Sequence, residues 1–190
     1  GSGLVGSEMC IRDRNVYRAI KCIPKDTSLV SSPSSEATLL KNLNHPGIPI
    51  IYDIEEDEHF FYIIEEFIQG QSIDTFVSYQ KISHELLIKF GIQLCDILDY
   101  LHHLMPYPIL YQDLKPEHII VCGNQIKLID FGIASYITSR GKNYQNYGTK
   151  GFAAPEQYGE YELHTASDIY AIGAVFSLYI KTVSYTHLRA

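Results

Sequence analysis

Residues 109–130 constrain the fold of this chain more than any other stretch. They read ILYQDLKPEHIIVCGNQIKLID. The runs at 109–111 and 119–121 have the composition of short strands. Gly123-Asn124 is a turn, and it leads into another strand at 126–129. Between the first two runs lies a loop carrying Asp113, Lys115 and Glu117, and Asp130 follows the last run. A short apolar hairpin thus holds up a charged loop, and charged groups that leave water need partners. The chain must therefore place this loop at a surface or in a cleft, with a core beneath it.

The rest of the chain supplies that core. Residues 16–23, VYRAIKCI, read as a strand with Tyr17, Ala19 and Lys21 on one face. A Pro- and Ser-rich loop follows, and Ser34 or Ser35 can cap a helix from Glu36, where Leu39, Leu40 and Leu43 recur at helical spacing. "HPGIP" ends it. Two strands, IPIIYDI and FFYIIEEF, are joined by the acidic turn EEDEH, and QGQS at 69–72 breaks the chain. From Ser83 to Met105 the pattern is helical, with an apolar face of Leu86, Leu87, Phe90, Leu94, Ile97, Leu98 and Leu101. A polar segment runs from 133 to about 150, and an apolar helix spans 168–180. A strand-rich N-terminal third ahead of a helical remainder predicts an α+β fold in two lobes.

A net charge of −7 argues against nucleic acid or an anionic membrane as the main partner. The four cysteines, Cys10, Cys22, Cys95 and Cys122, show no metal-binding or redox spacing. They read as reduced core thiols of a cytosolic protein. No apolar run reaches transmembrane length and no signal peptide is visible; anchoring outside the chain stays open.

Taken in order, these motifs resemble a protein kinase of the bacterial and eukaryotic Ser/Thr type, over residues 16 to 180. The resemblance implies a small β-rich lobe at 15–68 and a mainly helical lobe at 69–182. It implies ATP and Mg²⁺ as cofactors and a protein as substrate. Ala19-Ile20-Lys21 matches the strand that carries the ATP lysine, and Glu36 would pair with Lys21. Glu66 to Ile68 would present backbone groups to the adenine edge, with Glu65 at the position guarding the inner pocket. A carboxylate there requires a partner if buried. Asp113 matches the catalytic carboxylate, and Lys115 the lysine that steadies the γ-phosphate. Asp130-Phe131-Gly132 matches the metal-binding aspartate and its hinge glycine. Thr149, after Gly148, would help position Asp113 and the substrate hydroxyl. Glu156 of Ala154-Pro155-Glu156 and Asp168 match structural positions, although the arginine that Glu156 normally meets is missing. Tyr111-Gln112 replaces the usual His-Arg pair, and that arginine normally receives the phosphate of a modified activation loop.

His118 stands where the family carries a metal-holding asparagine. Mg²⁺ wants oxygen, whereas an imidazole nitrogen suits Mn²⁺ or Zn²⁺ better. Three readings stay open at this stage: a kinase that works with one metal or with Mn²⁺, a nucleotide-binding pseudokinase acting as a scaffold, and a packed histidine that leaves metal binding intact. His118 could also keep a hydrogen bond that rigidifies the catalytic loop. A small-molecule phosphotransferase is a further option, against which the run DLKPE and the segment 148–156 argue.

Both ends stand apart from this pattern. "LVGSEMCIRDR" and "VSYTHLRA" resemble translated sequencing-adapter read-through, which makes 1–14 and 183–190 non-native in expectation. Gly1, Gly3 and Gly6 would then match a phosphate-covering loop by coincidence, and 10–14 lacks the alternation of a strand. Ending near 180 would also leave Ile172, Val175, Phe176 and Tyr179 short of cover.

Overall fold

Alternation in VYRAIKCI builds strand β2 (Val16–Pro24), and in the computed structural model β2 is central to the first sheet. The structure describes residues 7–13, 16–25, 39, 41, 43–137, 148–159 and 162–187. β2 pairs antiparallel with β1 (Ser7–Asp13) on one side and with β4 (Phe60–Glu66) on the other. β4 also pairs with β3 (Ile51–Glu56), giving the order β1-β2-β4-β3. β1 is a strand despite its poor alternation. Its register runs from Ser7 opposite Cys22 to Asp13 opposite Val16. Such a ladder is made by backbone groups, which every residue but proline carries in full.

The β3–β4 turn is tied by Asp57. Its carboxylate accepts the Tyr62 hydroxyl (2.6 Å) and the N–H groups of His59 (2.7 Å) and Phe60 (2.8 Å). These bonds, Tyr62 first, hold its pKa at about 2.

Two short helices' worth of sequence behave differently from the expectation. QGQS does not simply break the chain: Gln71–Ser72 is strand β5, and helix α1 (Ile73–Tyr79) starts directly after it. The helix predicted from Glu36 lies largely outside the described residues, Glu36 included. Leu39 is described, and it is buried in the main core.

The long helix forms as its spacing dictates. α2 (His84–His102) begins at Ser83, whose hydroxyl accepts the Leu86 N–H at 3.1 Å. Leu87, Phe90, Leu94, Ile97, Leu98 and Leu101 are buried along one face. They pack with residues of the hairpin and of α3 (Thr165–His187) in one core. The hairpin itself is β7 (Ile119–Cys122) and β8 (Gln125–Leu128), turned at Gly123 with φ +63°. β5 adds to β7, while β6 (Ile109–Leu110) pairs with β9 (Ser135–Tyr136). The two 3₁₀ turns are η1 (Pro116–His118) and η2 (Pro155–Tyr158).

Two expectations need correction. Val175 and Tyr179 are buried, and Ile172 and Phe176 pack against the same core. α2 covers this face, its small Gly91 facing the Phe176 ring. Among the described side chains of α3, the large exposed apolar ones are instead Ile169, Tyr170, Leu178 and Ile180. Cys95 is also exposed, so it is not a core thiol, although Cys22, Cys95 and Cys122 are all free. Among the described residues, no helix is long and apolar enough to cross a membrane.

Candidate active site

The charged loop lies directly over the core, and its backbone is held from below by one carboxylate. Asp168, in the first turn of α3, is 1% exposed. Its oxygens accept the N–H of Tyr111 (2.9 Å) and of Gln112 (2.8 Å), and His102 Nε2 lies 2.8 Å away. Gln112 adopts φ +70°, a left-handed conformation that costs a non-glycine residue about 1–3 kcal/mol. The bonds from both neighbouring peptides offset that cost and turn Asp113 upward.

Asp113 meets three side chains. Thr149 donates its hydroxyl to Oδ1 at 2.7 Å. Lys115 Nζ donates to Oδ2 at 3.0 Å. His118 Nδ1 lies 3.6 Å from Oδ2 and 3.0 Å from the Asp113 carbonyl oxygen. Thr149 comes from a segment 36 residues further along the chain, so the contact is set by the fold.

Asp130 is the second carboxylate. It too is left-handed, at φ +62°. Lys21 Nζ of β2 pairs with Oδ1 at 2.9 Å, and the Gly132 N–H donates to the same oxygen at 3.3 Å. Burial pushes this carboxyl up, but the Lys21 ammonium, with the Gly132 N–H, outweighs it and holds the pKa below the usual carboxylate value. The Lys21–Asp130 pair joins the four-stranded sheet to the loop that follows β8.

His118 is buried at 6% exposure between the two aspartates. Burial, the largest influence, pushes its pKa below 6.5 and keeps the ring neutral near neutrality. A carbonyl oxygen only accepts, so Nδ1 carries the proton and donates to Asp113 O. Tyr111 Oη, 3.1 Å from Nδ1, donates its own proton to Ile129 O at 2.5 Å. The Nε2 lone pair therefore faces Asp130 Oδ2 at 3.3 Å. The Lys21 ammonium on the other oxygen of that carboxylate eases the repulsion between this lone pair and Asp130. The donor set of one imidazole nitrogen and one carboxylate fits a divalent ion, and fits Mn²⁺ better than Mg²⁺. Among the described residues, no group of three or more His, Cys, Asp or Glu could hold a metal by itself. Water and phosphate oxygens would complete any shell.

The remaining expected residues flank this centre. Ala19 sits opposite Glu65 in the β2–β4 ladder, and Glu65 is half-buried. Glu66 ends β4 with its N–H on Ile50 O (2.9 Å) and its carboxylate on Lys127 Nζ (2.6 Å). Ile68 follows in the connection to β5. Glu156 accepts the Ser167 hydroxyl at 2.7 Å. The structure thus brings Lys21, Asp113, Lys115, His118, Asp130 and Thr149 together, with Gly132 beside Asp130 and Asp168 below. His102, Lys127 and the Tyr111 hydroxyl were not singled out from sequence. Each contacts a residue more than six positions away, which spacing alone does not reveal.

The chain matches the family described as "Protein kinase domain" over residues 1–187. It is 31% identical over 156 residues to Serine/threonine-protein kinase A of Synechocystis sp., covering 74% of this chain and 30% of that protein. It is 30% identical over 178 residues to Serine/threonine-protein kinase PrkC of Bacillus subtilis, covering 89% of this chain and 26% of that protein. Myosin light chain kinase 3 of Rattus norvegicus is 30% identical over 155 residues, covering 79% of this chain and 19% of that protein. The chain therefore spans less than a third of the length of these relatives. The match extends over nearly all of its residues, and the chain belongs to the protein kinase domain family.

Proposed function

We propose that the chain transfers the γ-phosphoryl group of ATP to Ser or Thr hydroxyls of proteins. The observation that carries this reading is the convergence of Thr149 (2.7 Å) and Lys115 (3.0 Å) on the two oxygens of Asp113. A hydroxyl acceptor needs one carboxylate to orient it and take its proton, and a cation to quiet the charge of the phosphoryl group. Asp113 supplies the first and Lys115 the second. The acceptor oxygen forms a bond to the γ-phosphorus, the bond from that phosphorus to the bridging oxygen of ADP breaks, and Asp113 receives the hydroxyl proton.

Lys21 holds the ATP phosphates in this reading, and Ala19 lies over the adenine. The backbone of Glu66 and Ile68 meets the adenine edge, and Glu36 helps direct Lys21. Asp130 and His118 would hold the divalent ion, which would supply positive charge beside the phosphates. The neutral ring and the lone pair of His118 at 3.3 Å from Asp130 support one ion that tolerates nitrogen. Asp168 and Gly132 act on the site's shape, and Glu156 on the segment that receives substrate.

Three acceptors offered in parallel test the reading: a mixed Ser/Thr peptide library, a Tyr library and an aminoglycoside. Label from γ-phosphate-labelled ATP in the Ser/Thr library alone is the expected result. Label confined to the aminoglycoside would move the chain to small-molecule phosphotransfer. ATP binding with no label anywhere would make it a nucleotide-binding scaffold.

A further inference from the structure

Gln157 is 1% exposed, an unusual position for a long polar side chain with no charge to neutralise. Its carboxamide is used at both ends. Oε1 accepts the Ala154 N–H at 2.9 Å, and Nε2 donates to the carbonyl oxygen of Gln112 at 2.9 Å. The first bond is half of a capping box: Pro155 is the first residue of η2, and Gln157 reaches back to the residue before it. The second leaves η2 altogether and ends on the peptide that joins Gln112 to Asp113.

That peptide is the strained one. Gln112 has φ +70°, and the direction in which its carbonyl points sets where Asp113 begins. Asp168 fixes the N–H side of this residue, and Gln157 fixes the C=O side. The Gln112 side chain extends the chain of contacts: its Nε2 donates to Ile133 O (3.0 Å) and to Ser135 Oγ (2.6 Å) in β9. The tight fit continues at Gly148, where an added Cβ would lie 2.9 Å from Gln157 Nε2. Gly148 is itself left-handed at φ +141° and precedes Thr149, the donor to Asp113.

We infer that Gln157 and Gln112 form a neutral carboxamide relay that holds Asp113 in position, joining η2, the catalytic loop and β9 without any charged or phosphorylated group. The inference rests on the kinase reading for its effect on rate, though not for its effect on loop structure. Glutamine at 112 carries no charge, and its carboxamide is held by Ile133 O and Ser135 Oγ. Gln157 is a positioning residue: it touches neither nucleotide nor acceptor and acts through the 112–113 peptide.

The test is Gln157→Glu, which keeps the acceptor for Ala154 and removes the donor to Gln112. Two readouts are taken on the purified protein: hydrogen exchange over 109–118, and the kinetics of peptide phosphorylation. Exchange in 109–118 is expected to rise while that of α2 stays unchanged. kcat is expected to fall about tenfold or more with KM for ATP within about twofold, because misplacement of a catalytic group slows chemistry without weakening substrate binding. Ser135→Ala cuts the other end of the relay and is expected to give a smaller change of the same kind; it serves as the variant if Gln157→Glu does not fold. Prior phosphatase treatment of the parent is expected to leave kcat unaltered. Unchanged exchange over 109–118 in the folded variants overturns the relay, as does an unchanged kcat, or a phosphatase-sensitive one, in an active parent. If the parent transfers no phosphate the kinase reading fails, and exchange alone still decides the relay.

Discussion

Asp168→Asn removes one charge and one acceptor from the foundation of the site, and its cost follows from a count of donors. Three donors converge on the carboxylate of Asp168: the Tyr111 N–H (2.9 Å), the Gln112 N–H (2.8 Å) and His102 Nε2 (2.8 Å). Asparagine offers one oxygen and one amino group. With its oxygen on Gln112, the amino group faces the Tyr111 N–H, donor against donor. His102 can change tautomer and accept from the new amino group, so the histidine keeps a partner. One backbone N–H does not. A buried donor without a partner costs about 1–3 kcal/mol, and the lost bonds were to a charged acceptor, which places the cost near 2–3 kcal/mol. At roughly 2–4 °C per kcal/mol for a domain of this size, Tm should fall by about 4–12 °C. Asp168→Ala leaves both backbone N–H groups without acceptors and should fall further. Thermal unfolding followed by circular dichroism gives Tm, and amide exchange at Tyr111 and Gln112 locates the loss. A drop below about 2 °C, or unchanged protection at both amides, would refute the donor count.

Other consequences follow from the same geometry. Gly70→Ala should destabilise by about 1–3 kcal/mol, because the added Cβ would lie 2.5 Å from Val121 O, a backbone atom that cannot turn aside; a urea midpoint equal to the parent's would show that the β5–β7 approach is looser than described. His118 has its folded pKa lowered from 6.5, mainly by burial. As pH falls through 6.5 the unfolded chain takes up this proton before the folded one does. The stabilisation is therefore complete above 6.5 and is lost on the acid side. The urea midpoint of the parent should drop more between pH 7 and pH 5 than that of His118→Asn, and parallel curves for the two would contradict it.

What the sequence revealed was whatever depends on local order. The spacing of Leu87, Phe90, Leu94, Leu98 and Leu101 is enough to draw α2 and its buried face. The order Lys21, Asp113, Lys115, Asp130, Thr149 is enough to group the site, because the resemblance lies in that order. Helix α1 was hidden because Ser72 belongs to both a two-residue strand and the helix start, so the QGQS stretch reads only as a break. β1 was hidden because its partner β2 dictates it through backbone bonds. Gln157 could have been found: a proline followed two places later by glutamine is a weak helix-start signal. Its second bond, to Gln112 O, had no signal at all, since it spans 45 residues. The Lys127–Glu66 pair and the Tyr111–Ile129 bond escaped for the same reason.

The most direct measurement is phosphate transfer from ATP to a Ser/Thr peptide by the parent, Asp113→Ala and His118→Asn, in Mg²⁺ and separately in Mn²⁺. The account predicts transfer by the parent with a preference for Mn²⁺, loss of transfer in Asp113→Ala, and a shift of preference toward Mg²⁺ in His118→Asn. Equal transfer by the parent and Asp113→Ala, or no transfer by a folded, nucleotide-binding parent in either metal, would contradict it.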